Sequence, residues 1–206
     1  MIKLIKNQPA LSYKEHLVIT DLHLGIEREY WKKGYEMPSQ NKDLLKRIKK
    51  LKKKHKKLII LGDLKHNIPN ITYRETKEIP EFIKELKKEF EKVIIIKGNH
   101  DGNLERLVKG VLKEYIIDNI AFIHGHSVSK KAIKCDKIIA GHMHPVHTYY
   151  NHLKRRVNNK CFIITDKIII LPAFTNLSAG SNELATPLRK HIKDEERLLL
   201  DFTKVK

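Results

Sequence analysis

The chain has 206 residues and 41% hydrophobic content, enough for a packed core and too apolar for a disordered polymer. Its 42 Lys+Arg against 24 Asp+Glu give a formal charge of +18, which attracts polyanions, although a Lys- and Ile-rich composition is also typical of hyperthermophile proteins. The apolar runs are too short to span a bilayer, and Met1 to Lys6 lack a signal peptide's apolar stretch, so a cytoplasmic protein with no membrane partner is expected. Cys135 and Cys161 lie far apart with no Cys-x-x-Cys pattern and read as buried thiols rather than a disulfide or a zinc site.

Taken in order, Ile2 to Ile5 alternates as a short strand, and Asn7-Gln8-Pro9 breaks it. His16 to Thr20 reads as a buried strand ending in Asp21-Leu22-His23-Leu24-Gly25. If the chain stays extended there, Asp21 and His23 point the same way, as metal ligands would. Residues 26–37 read as a connection whose Tyr30, Trp31 and Tyr35 either stack on a base or, the preferred reading, cover the core. Pro38-Ser39 opens a helix with Leu44, Leu45, Ile48 and Leu51 on one face, closed by a Lys-rich end. The strand Leu58 to Leu61 delivers Gly62-Asp63-Leu64-Lys65-His66. Residues 67–77 read as a polar loop, followed by a helix carrying Ile79, Phe82, Ile83, Leu86 and Phe90.

The run Val93 to Ile96 is a strand buried on both faces, and it delivers Gly98-Asn99-His100-Asp101. Gly98 is expected to permit a sharp turn there. Strand, helix, strand, helix, strand implies parallel crossovers. A short helical segment is expected over 104–112. Ala121 to Ile123 runs into His124-Gly125-His126, and Lys137 to Ala140 runs into Gly141-His142-Met143-His144. Residues 161–165 and 168–171 flank Asp166-Lys167, a hairpin turn, and a last strand is expected over Leu198 to Phe202. No repeat or linker divides the chain, so residues 1–206 are expected to form one domain.

Each of these strand ends alone has a bland reading, a capped turn or a satisfied histidine. Asp21/His23, Asp63, Asn99/His100/Asp101, His124/His126 and His142/His144 together do not. Imidazole, carboxylate and one amide, with no thiolate, suit Mn, Fe, Zn, Co or Ni. The ligands exceed what one ion needs. Two divalent ions sharing a carboxylate would use them all, generate a hydroxide nucleophile and clamp a phosphoryl group.

Asp-x-His, Gly-Asp, Gly-Asn-His-Asp, a later His strand end and Gly-His-x-His, in this order over residues 21–145, resemble the calcineurin-like metallophosphoesterase superfamily. The resemblance implies an α/β fold, a four-layer α/β/β/α sandwich with two mixed sheets. It implies that Asp21, His23 and His144 hold a first metal, that Asn99, His124 and His142 hold a second, and that Asp63 bridges them. His100 would protonate the leaving oxygen or bind the phosphate, oriented by Asp101. Manganese is the first expectation for the ions, with Ni, Fe, Zn or Co as alternatives.

Asp-Leu-His-Leu-Gly, Gly-Asp-Leu-Lys-His and Pro172-Ala173-Phe174 further resemble archaeal phosphoesterases related to SbcD-type repair nucleases and DNA-ligase-associated phosphoesterases. In that neighbourhood His66 would lie near the substrate phosphate; its other reading is a turn cap. His126 shares a strand face with His124 and is expected near the metals. The capping domain and coiled-coil region of the repair nucleases have no room in 206 residues, so processive action on duplex DNA is not expected. Beyond the metal ligands, residues 146–160 mix His147, Tyr149, Tyr150, Lys154, Arg155, Arg156 and Lys160. They read as a platform for a strand or nucleotide, with Tyr149, Arg155 and Arg156 as its contacts, or as a plain exposed hairpin.

The expected function is therefore a dinuclear-metal phosphodiesterase acting on a nucleic acid or nucleotide by attack of a metal-bound hydroxide. The enzymatic alternatives are a phosphomonoesterase and a nucleotide pyrophosphatase. From other classes come a non-catalytic protein-binding scaffold, which the complete ligand set and His100 argue against, and a basic nucleic-acid-binding protein with an incidental metal. The residues carry no signal for oligomeric state.

Overall fold

In Leu17-Val18-Ile19, Leu58-Ile59-Ile60 and Val93-Ile94-Ile95, successive side chains face opposite ways, and both faces are buried. The computed structural model describes residues 1–183 and 186–205. The first half of the chain is β1 (Ile2–Leu4), β2 (Leu11–Tyr13), β3 (His16–Ile19), α1 (Glu27–Lys32), α2 (Asn41–Lys52), β4 (Lys57–Ile60), α3 (Tyr73–Glu89), β5 (Lys92–Ile96) and β6 (Val111–Leu112). Its strands form one sheet in sequence order, antiparallel from β1 to β3 and parallel from β3 to β6. The second half is β7 (Tyr115–Ile117), β8 (Ile120–Phe122), α4 (Lys130–Lys134), β9 (Lys137–Ala140), β10 (Val146–Tyr150), β11 (Arg156–Ile164), β12 (Ile168–Ile170), β13 (Glu196–Leu199) and β14 (Lys204–Val205). They make a mixed sheet ordered β14-β13-β11-β12-β9-β8-β7, with β10 paired to the first half of β11.

Between the sheets, Val18, Ile59 and Ile94 meet Phe122, Ile139, Phe162 and Ile169. On the outer face of the first sheet, Leu17, Ile19, Leu58, Ile60 and Ile95 pack under Leu44, Ile48 and Leu51 of α2 and Ile79, Phe82, Ile83 and Leu86 of α3. Ala132, Leu188 and Ile192 cover the outer face of the second sheet. Each buried Val, Leu, Ile or Phe side chain among these stabilises the fold by about 1.5–3 kcal/mol. The result is the expected four-layer α/β/β/α arrangement.

Several boundaries differ from expectation. The helix expected after the polar loop starts at Tyr73, inside that loop, because Thr72 and Glu75 form a reciprocal capping box. Residues 26–37 contain the helix α1, and the helix expected at Pro38-Ser39 begins at Asn41. Only Leu104–Arg106 of the 104–112 segment is helical, as a single tight turn, and the chain then pairs as β6. The last expected strand is shifted to Glu196–Leu199, with Thr203 turning the chain back into β14. Both cysteines are buried and free, as expected. Among the described residues no helix is long and apolar enough to cross a membrane.

At the end of the sandwich where β3 begins, His16 is 1% exposed. Its Nδ1 lies 3.2 Å from the Tyr13 carbonyl, and its Nε2 has no partner. Burial depresses its pKa; Lys57 and Lys92 add to this, while the Tyr13 carbonyl and Glu15 oppose it. The unfolded chain therefore binds this proton more tightly than the folded one. The stability contributed by neutral His16 is complete above a pH of about 6.5 and is lost as pH falls below it. His16→Leu is expected to flatten the decline in Tm between pH 7 and pH 5 relative to wild type; an unchanged slope would contradict this.

Candidate metal centre

The ends of β3, β4 and β5 in one sheet meet the ends of β8 and β9 in the other. The parallel pairing of β3 and β4 continues past the strands: His23 N–H donates to the Asp63 carbonyl at 2.9 Å and Leu24 N–H to the Leu64 carbonyl at 2.8 Å. The chain is not extended there, contrary to expectation. Asp21 and His23 have φ of 53° and 48°, Asp63 has 48°, and His142 and His144 have 71° and 43°. Asp, Asn and His tolerate this left-handed region better than other side chains, and residues held in it cluster at functional sites. The kinks, rather than a two-residue alternation, turn these side chains toward one another.

Ligand atoms of Asp21, His23, Asp63 and His144 all lie within 4.8 Å of one another, and so do those of Asp63, His124 and His142. Asp63 belongs to both groups. Asn99 Oδ1 sits 3.0 Å from His124 Nε2, which completes the second. Two imidazoles are held from behind by backbone carbonyls, His124 Nδ1 by Leu61 at 2.6 Å and His144 Nδ1 by Ala179 at 3.2 Å. That fixes each Nδ1 against a carbonyl and turns each Nε2 inward, the outer-shell arrangement metal-bound histidines use. Asp21 Oδ2 accepts from Thr20 Oγ1 at 2.7 Å and from His142 N–H at 3.1 Å. Asp21 Oδ1 is buried without a hydrogen-bond partner, beside His144 Nε2 at 3.3 Å. A buried carboxylate oxygen left free among inward-facing imidazole nitrogens fits a divalent cation.

The electrostatics agree. Burial would raise the Asp21 pKa, but His144, His124 and His23 outweigh it and hold the carboxylate ionised. Asp63 is likewise lowered, against burial, mainly by His124. Burial pushes His23 down to about 3 and His142 down to about 4, so both stay neutral at physiological pH. Burial opposes ionisation of His124 too, yet Asp63 and Asp21 raise it to about 9. The same carboxylates that attract a proton there would attract a metal ion.

The outer residues divide. His66 and His100 stack with ring centroids 5.5 Å apart, and both pack on His23. His66 Nδ1 meets His23 Nδ1 at 3.2 Å, and its Nε2 meets Glu29 at 3.0 Å, so it does not cap the following turn. The expected contact between Asp101 and the His100 ring is replaced by others. Asp101 accepts from Gly98 N–H at 2.8 Å and Lys65 N–H at 3.1 Å, tying the two loops together, while His100 Nδ1 faces the His66 carbonyl at 2.6 Å. Burial raises the Asp101 pKa to about 6. His126 lies next to the second group, 5.3 Å from His124 and 6.1 Å from His142 between ring centroids, with a buried, unpartnered Nδ1.

Tyr149, Arg155 and Arg156 are not brought to the centre. They lie toward the tip of the β10–β11 hairpin, where Tyr150 pairs with Arg156, about 14 Å along the ladder from Val146. Lys160 leaves the expected platform altogether. Its Nζ donates inward to the Ala173 carbonyl at 2.7 Å, the Thr175 carbonyl at 2.5 Å and Asn176 Oδ1 at 3.0 Å. Arg47 takes the carbonyl between them, Phe174, at 3.0 Å. This matters to the site because Phe174 and Thr175 N–H groups donate to the Thr20 and Asp21 carbonyls. Lys160→Met strands these oxygens and is expected to cost about 3 kcal/mol, or roughly 6–12 °C in Tm, with weaker retention of divalent metal. A wild-type Tm would contradict that role.

Residue-by-residue reading passed over Thr20, Glu29 and Lys65. Thr20 and Lys65 adjoin motif residues and are wholly buried, and nothing local in the sequence distinguishes them from core positions.

A family model described as calcineurin-like phosphoesterase matches residues 16–163. No curated protein matches the sequence significantly. Among solved structures, the nuclease MPE of Pseudomonas putida superimposes with a TM-score of 0.65 at 21% identity, covering 98% of this chain and 96% of that one. The phosphoesterase Yfce of E. coli gives 0.47 at 16% identity, covering 93% and 96%. Zinc-complexed Vps29 of Entamoeba histolytica gives 0.44 at 16%, covering 90% and 98%. At these identities the likeness is one of fold.

Proposed function

The chain belongs to the calcineurin-like phosphoesterase family and is a metal-dependent phosphoesterase, and from that premise we propose that it hydrolyses phosphodiesters of a nucleic acid or nucleotide. The family uses two divalent ions. In this reading Asp21, His23, Asp63 and His144 hold one ion, Asp63, Asn99, His124 and His142 hold the other, and manganese is the expected metal. When bound, such a pair supplies Lewis-acid polarisation of the phosphoryl oxygens and a nucleophile from water at neutral pH. The motif resemblance to SbcD-related and ligase-associated phosphoesterases supports the diester substrate, as does the +18 charge.

The observation that carries the reading is the placement of His100. Its backbone N–H donates to Asp63 Oδ1 at 2.9 Å, so the turn bearing it is built onto the carboxylate that both ligand groups share. Its Nδ1 is engaged by the His66 carbonyl, which leaves Nε2 to face substrate. A sugar alkoxide is a poor leaving group and needs a proton; the His100 imidazolium can deliver one, with the His66 carbonyl holding the ring's other N–H. The His66 ring stacks on His100 and lines the same edge of the centre, where the phosphate would sit.

Hydrolysis of a dinucleotide by the metal-loaded protein tests this. The wild type is expected to turn it over, and His100→Ala to lose about 10²–10⁴-fold. The loss should be much smaller for a p-nitrophenyl diester, whose leaving group departs without a proton. Equal losses on both substrates would remove His100 as the acid, and no dinucleotide turnover by the wild type would remove the diester reading.

A further inference from the structure

Beside the His66–His100 edge of the centre the surface changes character. Glu29 of α1 meets His66 from one side, and two residues on is Trp31, still 45% exposed. From the other side the chain leaves His66 through Ile68, 58% exposed, and enters α3 at Tyr73, 76% exposed. This loop packs on the His100 turn, where a Cβ on Gly102 would come within 3.2 Å of the Pro69 carbonyl. The Arg74 guanidinium lies over the Trp31 ring at 5.2 Å, and the Lys77 ammonium over the Tyr73 ring at 4.6 Å. Arg74 thus bridges the two elements. Exposed rings carrying cations, next to a phosphate-binding centre, are the two components of a single-strand site: flat faces for bases and positive charge for the backbone.

We propose that Trp31, Ile68 and Tyr73, with Arg74 and Lys77, form a stacking shelf for the unpaired bases of a single-stranded nucleic acid whose phosphate enters the metal centre. The proposal rests on the phosphodiesterase reading above. The shelf is favoured over the β10–β11 hairpin because its loop begins at His66 itself, whereas the hairpin's tip is far along its ladder and its Lys160 points inward. Bases in a duplex are stacked on each other and cannot occupy such a shelf, so the site selects single strands.

Trp31 is the chain's only tryptophan, so its fluorescence reports on the shelf directly. The metal-loaded protein is titrated with a short phosphorothioate-linked oligothymidylate, which resists cleavage. Saturable quenching of Trp31 is expected, and the same length of duplex should not produce it. Tyr73→Ala should weaken binding by about 10-fold or more and Tyr73→Phe should restore it, since stacking rather than the hydroxyl is at work. Absence of quenching, equal quenching by duplex, or wild-type affinity in Tyr73→Ala would overturn the shelf. Turnover of a small chromogenic diester in the same preparation separates the two claims. Quenching without turnover supports the shelf and removes the phosphodiesterase reading, while turnover without quenching does the reverse.

Discussion

Asp63→Asn is expected to lower phosphoester hydrolysis by at least about 10³-fold while leaving the fold intact. The reason is geometric. Asp63 is the one residue common to both ligand groups, with Oδ2 at 3.4 Å from His124 Nε2 and 3.7 Å from His23 Nε2. Asparagine keeps the shape and can still accept from the His100 N–H through its amide oxygen. It removes the charge that would sit between two cations and that holds the His124 imidazolium, and it presents an amide donor in place of Oδ2. Bound metal, counted per chain after dialysis against manganese, should fall from two toward one or none, with Tm changed by only a few degrees. Wild-type metal content and activity in Asp63→Asn would mean that the two groups do not share a bridging ligand.

Gly98→Ala is expected to be nearly as damaging, and through the backbone. The expected turn is there, with Asp101 N–H donating to the Gly98 carbonyl at 3.3 Å, but Gly98 does not have a positive φ, so the turn does not require glycine conformationally. What requires it is proximity: an added Cβ would lie 2.0 Å from Asp63 Oδ1 and 2.4 Å from the Asp63 backbone nitrogen. The β4 and β5 loops touch there, with no flexible side chain to give way. The strain should cost about 2–4 kcal/mol and displace Asp63 and Asn99 together. A Tm lower by roughly 4–16 °C and loss of metal retention are the expected readouts. A stable Gly98→Ala protein with full activity would show that the loops can separate without cost.

The contrast between these two residues marks how far the sequence could be read. Asp63 was legible because a polar, metal-ligating side chain at the end of an apolar strand is a pattern within a few residues, repeated at Asp21, Asn99, His124 and His142. The buried strands were legible for a similar reason, since runs such as Leu58-Ile59-Ile60 must bury both faces, whereas the four layers were implied by the family resemblance. What Gly98 does depends on a neighbour 35 positions away, and no local pattern encodes it. The same holds for Asp101, whose partners lie across two loops, and for Lys160, whose three acceptors come from a segment 13 to 16 positions on. Trp31 was read as core cover because an aromatic next to a buried strand usually is; only the path of α1 leaves it at the surface. The start of α3 was misread although Thr72-x-x-Glu75 spells a capping box, because the polar residues around it looked like loop.

In the proposed reading, two divalent ions held by these strand ends make this chain a phosphodiesterase. The most direct measurement strips the protein of metal, restores manganese stepwise, and follows hydrolysis of bis-p-nitrophenyl phosphate beside p-nitrophenyl phosphate. Activity that rises to a plateau at two ions per chain, with the diester cleaved faster than the monoester, is the predicted result. Preference for the monoester would make the protein a phosphatase, and two bound ions with no turnover of either substrate would contradict the account.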